Sequence, residues 1–151
     1  ENLYAAADTL SDAQRRADLG AFFGSIHGTL SHLCWGDGTW MSRFAGLPAP
    51  GGGIRNSPAL HEDWDNLKAA RLRLDDAISA WAEGIDAARV AGTLRWYSGA
   101  AGREVERPMA ALVVHFFNHQ THHRGQAHAL LTRLGEKTSD TDLWLVVPEP
   151  L

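Results

Sequence analysis

Four of the eight histidines lie close together near the C-terminal end of the chain, from His115 to His123. At about 100° per residue, His119 and His123 stand one turn apart on the same side of a helix, so both rings can face one ion. Imidazole nitrogen is a common ligand of zinc and of other divalent transition metals. The spacing therefore predicts that these two residues contribute to a divalent-metal site.

Two ligands make a weak site, and we expect the third to be His32, in the middle of a segment patterned for burial. Gly28 and Gly36 fall within about 40° of His32 on a helical wheel. A glycine inside a helix costs roughly 1 kcal/mol relative to alanine, so the two glycines require an explanation. Either they leave room for an ion, water and a ligand, or they let two helices pack closely. Three protein ligands, which leave coordination positions open, are typical of catalytic rather than structural sites.

The same stripe carries further polar residues that are alternatives or neighbours to the predicted ligands. From His119, Gln126 lies at about 20°, His115 at about 40° and His122 at about 60°. We interpret them as side chains that orient or pack against the ligands, and His115 and His122 as substitutes if the pair is wrong. The competing interpretation is that the histidines are satisfied by ordinary hydrogen bonds or are solvated.

Other reactive residues are predicted to lie outside the site. Asp37 is about 140° from His32 and is expected to cap a helix, pair with Arg43 or orient a neighbour. Cys34 is about 200° from His32 and is expected to be a buried, inert side chain. No His-Glu-x-x-His motif is present, so peptidase chemistry is not expected. No catalytic residue beyond the metal ligands can be named.

Helical periodicity dominates the chain and supplies the elements that must position the histidines. An exposed loop is predicted where proline and a run of three glycines interrupt the pattern, at residues 46–58. Residues 93–105 are predicted to form a hairpin or an ordered connection, and the apolar tail 143–147 to pack on the other helices or on another subunit. Helices are predicted at residues 1–10, 15–44, 58–84 and 109–134.

Composition excludes several functional classes. The length of 151 residues predicts a single domain over 1–151. The net charge of -4, with scattered basic residues, argues against nucleic-acid binding, and no apolar run reaches transmembrane length. A single cysteine excludes an internal disulfide and favours a reducing compartment, the cytoplasm. Because the chain begins at Glu1 without a methionine, we expect its first helix to be trimmed.

Two segments resemble the DinB family. Residues 22–44 read Phe-Phe-Gly-Ser-Ile-His-Gly-Thr-Leu-Ser-His-Leu-Cys-Trp-Gly-Asp-Gly-Thr-Trp-Met-Ser-Arg-Phe, and residues 118–126 read Asn-His-Gln-Thr-His-His-Arg-Gly-Gln. The resemblance implies an all-α fold, an up-down four-helix bundle of the DinB and YfiT-like type that is often a homodimer. It also implies a metal held by one histidine of the second helix and two of the last, at the positions of His32, His119 and His123.

The resemblance further implies distant kinship with thiol transferases and maleylpyruvate isomerases that use bacillithiol, mycothiol or glutathione. The leading hypothesis is therefore a metal-dependent S-transferase for a low-molecular-weight thiol and a small electrophilic substrate. The alternatives are a non-catalytic, stress-associated metal-binding bundle and a metal-dependent hydrolase. All-imidazole ligation suits zinc, nickel, iron or copper, so the metal stays open.

Overall fold

The computed structural model describes residues 2–145 and 147 and is mostly helical. The strands β1 (Thr93–Ser98) and β2 (Arg103–Pro108) pair antiparallel just before the last helix, from Thr93 opposite Pro108 to Ser98 opposite Arg103. Short 3-10 turns occupy Ser57–Ala59 and Leu143–Leu145. The remaining elements, in chain order, are α1 (Asn2–Asp8), α2 (Asp12–Arg16), α3 (Ile26–Ala45), α4 (Trp64–Gly84), α5 (Ala87–Ala91), β1 (Thr93–Ser98), β2 (Arg103–Pro108) and α6 (Met109–Arg133).

Helix α3 begins later than its apolar pattern predicts. The expected single helix over residues 15–44 is interrupted, because Gly20 and Gly24 adopt φ angles of 77° and 74°. That left-handed conformation favours glycine and ends helical hydrogen bonding. Ser25 then caps α3, its hydroxyl accepting a hydrogen bond from a backbone N–H of the first turn.

Helix α4 also begins later than predicted, whereas α6 matches its prediction. Pro58 was expected to open α4, but it belongs to a 3-10 turn, and the helix begins at Trp64 behind the capping side chain of Asp63. Helix α6 follows Pro108 and ends before Gly135, whose φ of 87° suits a helix C-terminus.

The hairpin predicted before the last helix is present, so the expected helical fold is confirmed as mostly helical with a small two-stranded sheet. Leu94 of β1 and Val105 of β2 are both 8% exposed and anchor one face of the hairpin. The strand register places these two side chains on the same face of the sheet, because side chains two positions apart on a strand point the same way.

Helix α3 is the central element, since it packs against α2, α4 and α6, while α1 packs against α6. One apolar cluster surrounds Ile26 and Leu131, and a second surrounds Met41 and Phe116. No helix in the described part of the chain is long and apolar enough to span a membrane.

The described side chains of the apolar tail do not support packing on the other helices, which was one alternative predicted for residues 143–147. Trp144 is 76% exposed and Leu145 is 49% exposed. The other alternative, contact with a second subunit, stays a prediction. Val146 and residues 148–151 lie outside the described residues.

A buried ion pair joins the three long helices. The Asp37 carboxylate of α3 accepts a 2.7 Å hydrogen bond from Arg71 Nη1 of α4 and a 3.1 Å bond from Gln120 Nε2 of α6. Arg71 also contacts Asp75 at 2.7 Å. The expected pairing of Asp37 with Arg43 is therefore wrong. Burial raises the pKa of Asp37 to about 6, although Arg71 and Gln120 oppose that rise, so the carboxylate is ionised at neutral pH.

Replacing Asp37→Asn should lower the free energy of unfolding by about 3 kcal/mol, because Arg71 would lose its buried counter-charge. Urea unfolding at neutral pH measures the change. Asp75→Asn is the matched control, since the exposed Asp75 should contribute no more than about 1 kcal/mol. Equal losses in the two variants would contradict a dominant role for the buried pair.

Candidate metal centre

His32 of α3 and His119 and His123 of α6 come together where the two helices pack. One ring nitrogen of each lies within 4.8 Å of the corresponding nitrogen on the other two. His32 is 2% exposed, His123 is 7% exposed and His119 is partly buried. The three residues selected from the sequence thus form one compact group of imidazoles that could share an ion. We call this group the histidine cluster.

A hydroxyl from a distant turn orients His32. The His32 Nδ1 atom lies 2.7 Å from Ser57 Oγ, and that hydroxyl donates its hydrogen to the Ile54 carbonyl at 2.7 Å. Because a serine has one hydroxyl hydrogen, Nδ1 of His32 must carry the proton and donate to Ser57. The Nε2 lone pair of His32 is therefore left available for a metal ion.

His123 is oriented in the same way by a residue of its own helix. Its Nδ1 atom lies 2.7 Å from Gln126 Oε1, which can only accept, so Nδ1 donates and Nε2 keeps its lone pair. The amide nitrogen of Gln126 in turn lies 3.2 Å from Nε2 of His122. Gln126 and the exposed His122 thus form a chain of hydrogen bonds that ends on His123.

His119 lies directly against the backbone of α3. A Cβ atom placed on Gly36 would be 2.7 Å from Cε1 of the His119 ring, closer than real Cβ contacts allow. The expectation that Gly36 leaves room for an external ligand is corrected: the ring of His119 fills that room. Gly28 has a different role, since its Cβ would meet the carbonyl of Phe23 and the side chain of Pro58.

The histidine cluster is electrically neutral. Burial, together with a smaller effect of the neighbouring histidines, lowers the pKa of His32 to about 3 and that of His119 to about 4. Burial also lowers the pKa of His123, although its hydrogen bond to Gln126 opposes the effect. Neutral imidazole is the form that binds metal, so no proton needs to be displaced at neutral pH.

These observations fit a divalent metal ion. Nδ1 of His119 is buried and has no hydrogen-bond partner among the described residues, and a buried polar atom without a partner is costly. One of the two ring nitrogens of His119 lies within 4.8 Å of a ring nitrogen of His32 and of His123. The donor set, three neutral imidazoles, suits zinc, nickel or iron.

An aromatic ring covers one side of the histidine cluster. Phe23 stacks on His32 with ring centroids 3.8 Å apart and lies 5.4 Å from the ring of His123. Phe22 contacts Phe23 and is itself 80% exposed. Phe23 keeps this side apolar, while Phe22 offers an exposed apolar surface beside it.

The remaining candidates from the sequence lie outside the histidine cluster. His115 is exposed, 6.0 Å from His119 between ring centroids. Asp37 is held by the buried ion pair described above. Cys34 is buried as expected, and burial raises its pKa to about 11, so its thiol stays protonated.

Sequence reasoning missed Ser57, Phe23 and Gln120. Ser57 lies in the segment predicted as an exposed loop, yet it is 1% exposed. Its position directly before Pro58, where the chain enters a helical turn, was the only available signal. Phe23 and Gln120 lie at ordinary positions of the predicted helices. Their contacts are with residues of other elements, so helical periodicity could not indicate them.

Gly36→Ala should weaken zinc binding by at least about tenfold, because the new methyl group displaces the His119 ring, while helicity should not fall. Isothermal titration calorimetry and circular dichroism provide the two measurements. Gly125→Ala is the matched control, since a Cβ there meets nothing within 4 Å. Unchanged zinc affinity in Gly36→Ala would mean that the position of His119 does not matter for binding.

Acid should destabilise the metal-free protein through His32. The pKa of His32 is about 3 in the folded state, against about 6.5 for a histidine in the unfolded chain. The unfolded state therefore binds a proton more readily, and stability falls as the pH drops from about 6.5 toward 3. When the pH is lowered from about 7 to about 5, the free energy of unfolding should fall in both proteins. The fall should be about 1–2 kcal/mol smaller in His32→Asn than in wild type. Asparagine does not titrate and can still donate to Ser57. Equal losses would contradict burial of an uncharged His32.

Comparison with known proteins identifies one family. The model of the DinB family matches residues 1–148 of the 151-residue chain. No curated protein and no solved structure matches. The family match covers almost the whole chain and includes both helices that carry the three histidines, and on that basis the chain belongs to the DinB family.

Proposed function

We propose that this chain is a metal-dependent enzyme of the thiol S-transferase type, with His32, His119 and His123 holding a zinc, nickel or iron ion. One observation carries the proposal. Three neutral imidazoles converge, and no other histidine, cysteine, aspartate or glutamate of the described residues joins them. A three-ligand site leaves coordination positions for an external ligand, as catalytic sites do.

The residues around the histidine cluster support the handling of a small thiol. A bound divalent ion lowers the pKa of a thiol and so supplies thiolate at neutral pH. Ser57 and Gln126 hold His32 and His123 in one tautomer each, and Phe23 limits the access of water from its side.

The transfer itself requires little from other side chains. The thiolate sulfur forms a bond to the electrophilic carbon, the leaving group departs with its bonding electrons, and the thiol proton passes to solvent. The lowered pKa of His32 and of His119 makes these imidazoles poor proton acceptors, which is consistent with their assignment as ligands.

A non-catalytic metal-binding role is the second candidate, because the histidine cluster joins α3 to α6. An ion bound there would connect the two helices and stabilise the fold. A metal-dependent hydrolase is less well supported, since it needs a base near the site. Asp37 is already occupied by Arg71 and Gln120.

The proposal includes an arrangement of the helices and an assembly. We infer an up-down four-helix bundle of α1, α3, α4 and α6, supported by the packing of α3 on α4 and α6 and of α1 on α6. The exposed apolar tail supports a homodimer. The buried free thiol of Cys34 supports a reducing compartment such as the cytoplasm.

Replacing any one of the three ligands by alanine (His32→Ala, His119→Ala or His123→Ala) should abolish stoichiometric metal binding. Most helicity should remain, because the two apolar clusters contain none of these histidines. Elemental analysis of protein purified without a metal-affinity tag measures the metal. His122→Ala is the matched control, since this exposed neighbour is not one of the three converging imidazoles. Equal loss of metal in His122→Ala would show that the metal ligands lie on a different face of α6.

Thiol binding separates the transferase from the structural alternative. Cobalt-substituted protein should develop a sulfur-to-metal charge-transfer band when a small thiol is added, and His32→Ala should not. A cobalt spectrum that ignores every thiol, together with a large loss of stability on chelation, would favour the structural role.

A further inference from the structure

Arg43, in the last turn of α3, lies against two tryptophan rings that also contact each other edge to face, with centroids 5.8 Å apart. Its guanidinium carbon is 4.6 Å from the ring centroid of Trp40 and 5.4 Å from that of Trp96 on β1. Stacking on indole rings is favourable for a guanidinium and restricts its orientation. The charged group is therefore held in place by α3 and the hairpin together.

This guanidinium has no carboxylate partner among the described residues. Burial alone lowers the pKa of Arg43 below its ordinary value, and no charged side chain contributes. By contrast, Arg71 lies 2.7 Å from Asp37 and Arg95 lies 3.1 Å from Glu106.

The position of Arg43 near the C-terminus of α3 explains a positive charge, but not why the group is half-buried and unpaired. A partly desolvated charge is costly unless an anion pairs with it. Its planar set of N–H donors matches a carboxylate, which can accept two hydrogen bonds from them. A ligand that brings a carboxylate would supply the missing partner.

Successive ring contacts connect Arg43 to the histidine cluster. The rings of His119 and His115 are 6.0 Å apart, and those of His115 and Trp40 are 5.1 Å apart. His115 is exposed and Trp40 is half-buried, so this strip of rings lies at the surface. A small molecule lying along the strip would have one end near the histidine cluster and the other near Arg43.

We propose that Arg43 binds the carboxylate of a small molecule whose other end reaches the histidine cluster along His115 and Trp40. The identity of the reacting end rests on the proposed function, whereas the carboxylate site does not. The carboxylate belongs either to the thiol or to the electrophile. This site gives a role to His115, which lies outside the predicted metal ligands, and a reason for the contact of Arg43 with both indoles.

The first experiment tests the carboxylate site without a thiol. Hexanoate and 1-hexanol are titrated into the metal-loaded protein, with tryptophan fluorescence as the readout. Wild type should bind hexanoate at least about tenfold more tightly than the alcohol, because charge-assisted hydrogen bonds contribute about 1.5 kcal/mol or more. Arg43→Gln should remove that preference and leave the affinity for the alcohol unchanged.

Two further variants keep this result interpretable. Arg95→Gln removes a nearby positive charge that already has a partner, so it should retain the preference within about twofold. Arg43→Lys should retain part of the preference, since a charge remains without the planar donors. An equal preference for hexanoate in wild type and folded Arg43→Gln overturns the inference, and so does an equal loss in Arg95→Gln.

The second experiment identifies the source of the carboxylate. 6-Mercaptohexanoate is compared with 6-mercapto-1-hexanol, in wild type and in His32→Ala. Tighter binding of the mercapto acid that requires both Arg43 and His32 places the carboxylate on the thiol. A preference that needs Arg43 but not His32 supports the carboxylate site and assigns it to the other substrate. If thiols never perturb the metal while Arg43 still selects hexanoate, the proposed function fails and this inference stands.

Discussion

The close contact between α3 and α6 at Gly36 determines the geometry on which the site depends. Because Gly36 has no side chain, the ring of His119 lies directly on the backbone of α3. That approach brings His119 and its helical neighbour His123 beside His32. Any side chain at Gly36 would move one wall of the histidine cluster relative to the other.

The same pair of helices is held by polar interactions that leave little freedom of rotation. Asp37 follows Gly36 directly and accepts a hydrogen bond from Gln120, which follows His119. Arg71 completes this buried contact from α4. Apolar packing tolerates small sliding of helices, whereas a buried ion pair is costly to misalign. The contact that brings the histidines together is thus adjacent to the one that restricts their movement.

Burial gives the site its chemical character. Three imidazoles close together in apolar surroundings remain neutral, because each charged form would lose hydration and repel the others. Two of them have their protonated nitrogens bound by Ser57 and Gln126. The half-buried cation of Arg43 lies instead against the indoles of Trp40 and Trp96. The neutral histidine cluster and this cation are connected by the rings of His115 and Trp40.

Local periodicity was sufficient to predict α6 and the shared face of His119 and His123, because both follow from the geometry of one continuous helix. It also indicated His32 as the third residue of the cluster, since a histidine flanked by helical glycines was unusual within an apolar pattern. The starts of α3 and α4 were placed too early, because apolar spacing continues through residues where glycine conformation or a capping side chain sets the boundary.

Tertiary structure decided everything that depends on contact between distant segments. Ser57 reaches His32 across 25 positions of sequence, and Asp37 pairs with Arg71 rather than with the nearer Arg43. Neither partner follows from a periodic pattern, because a loop of irregular backbone can approach a helix from many directions. The sequence alone thus determined which residues share a helix face, whereas packing between helices and loops decided which faces meet and how each imidazole is oriented.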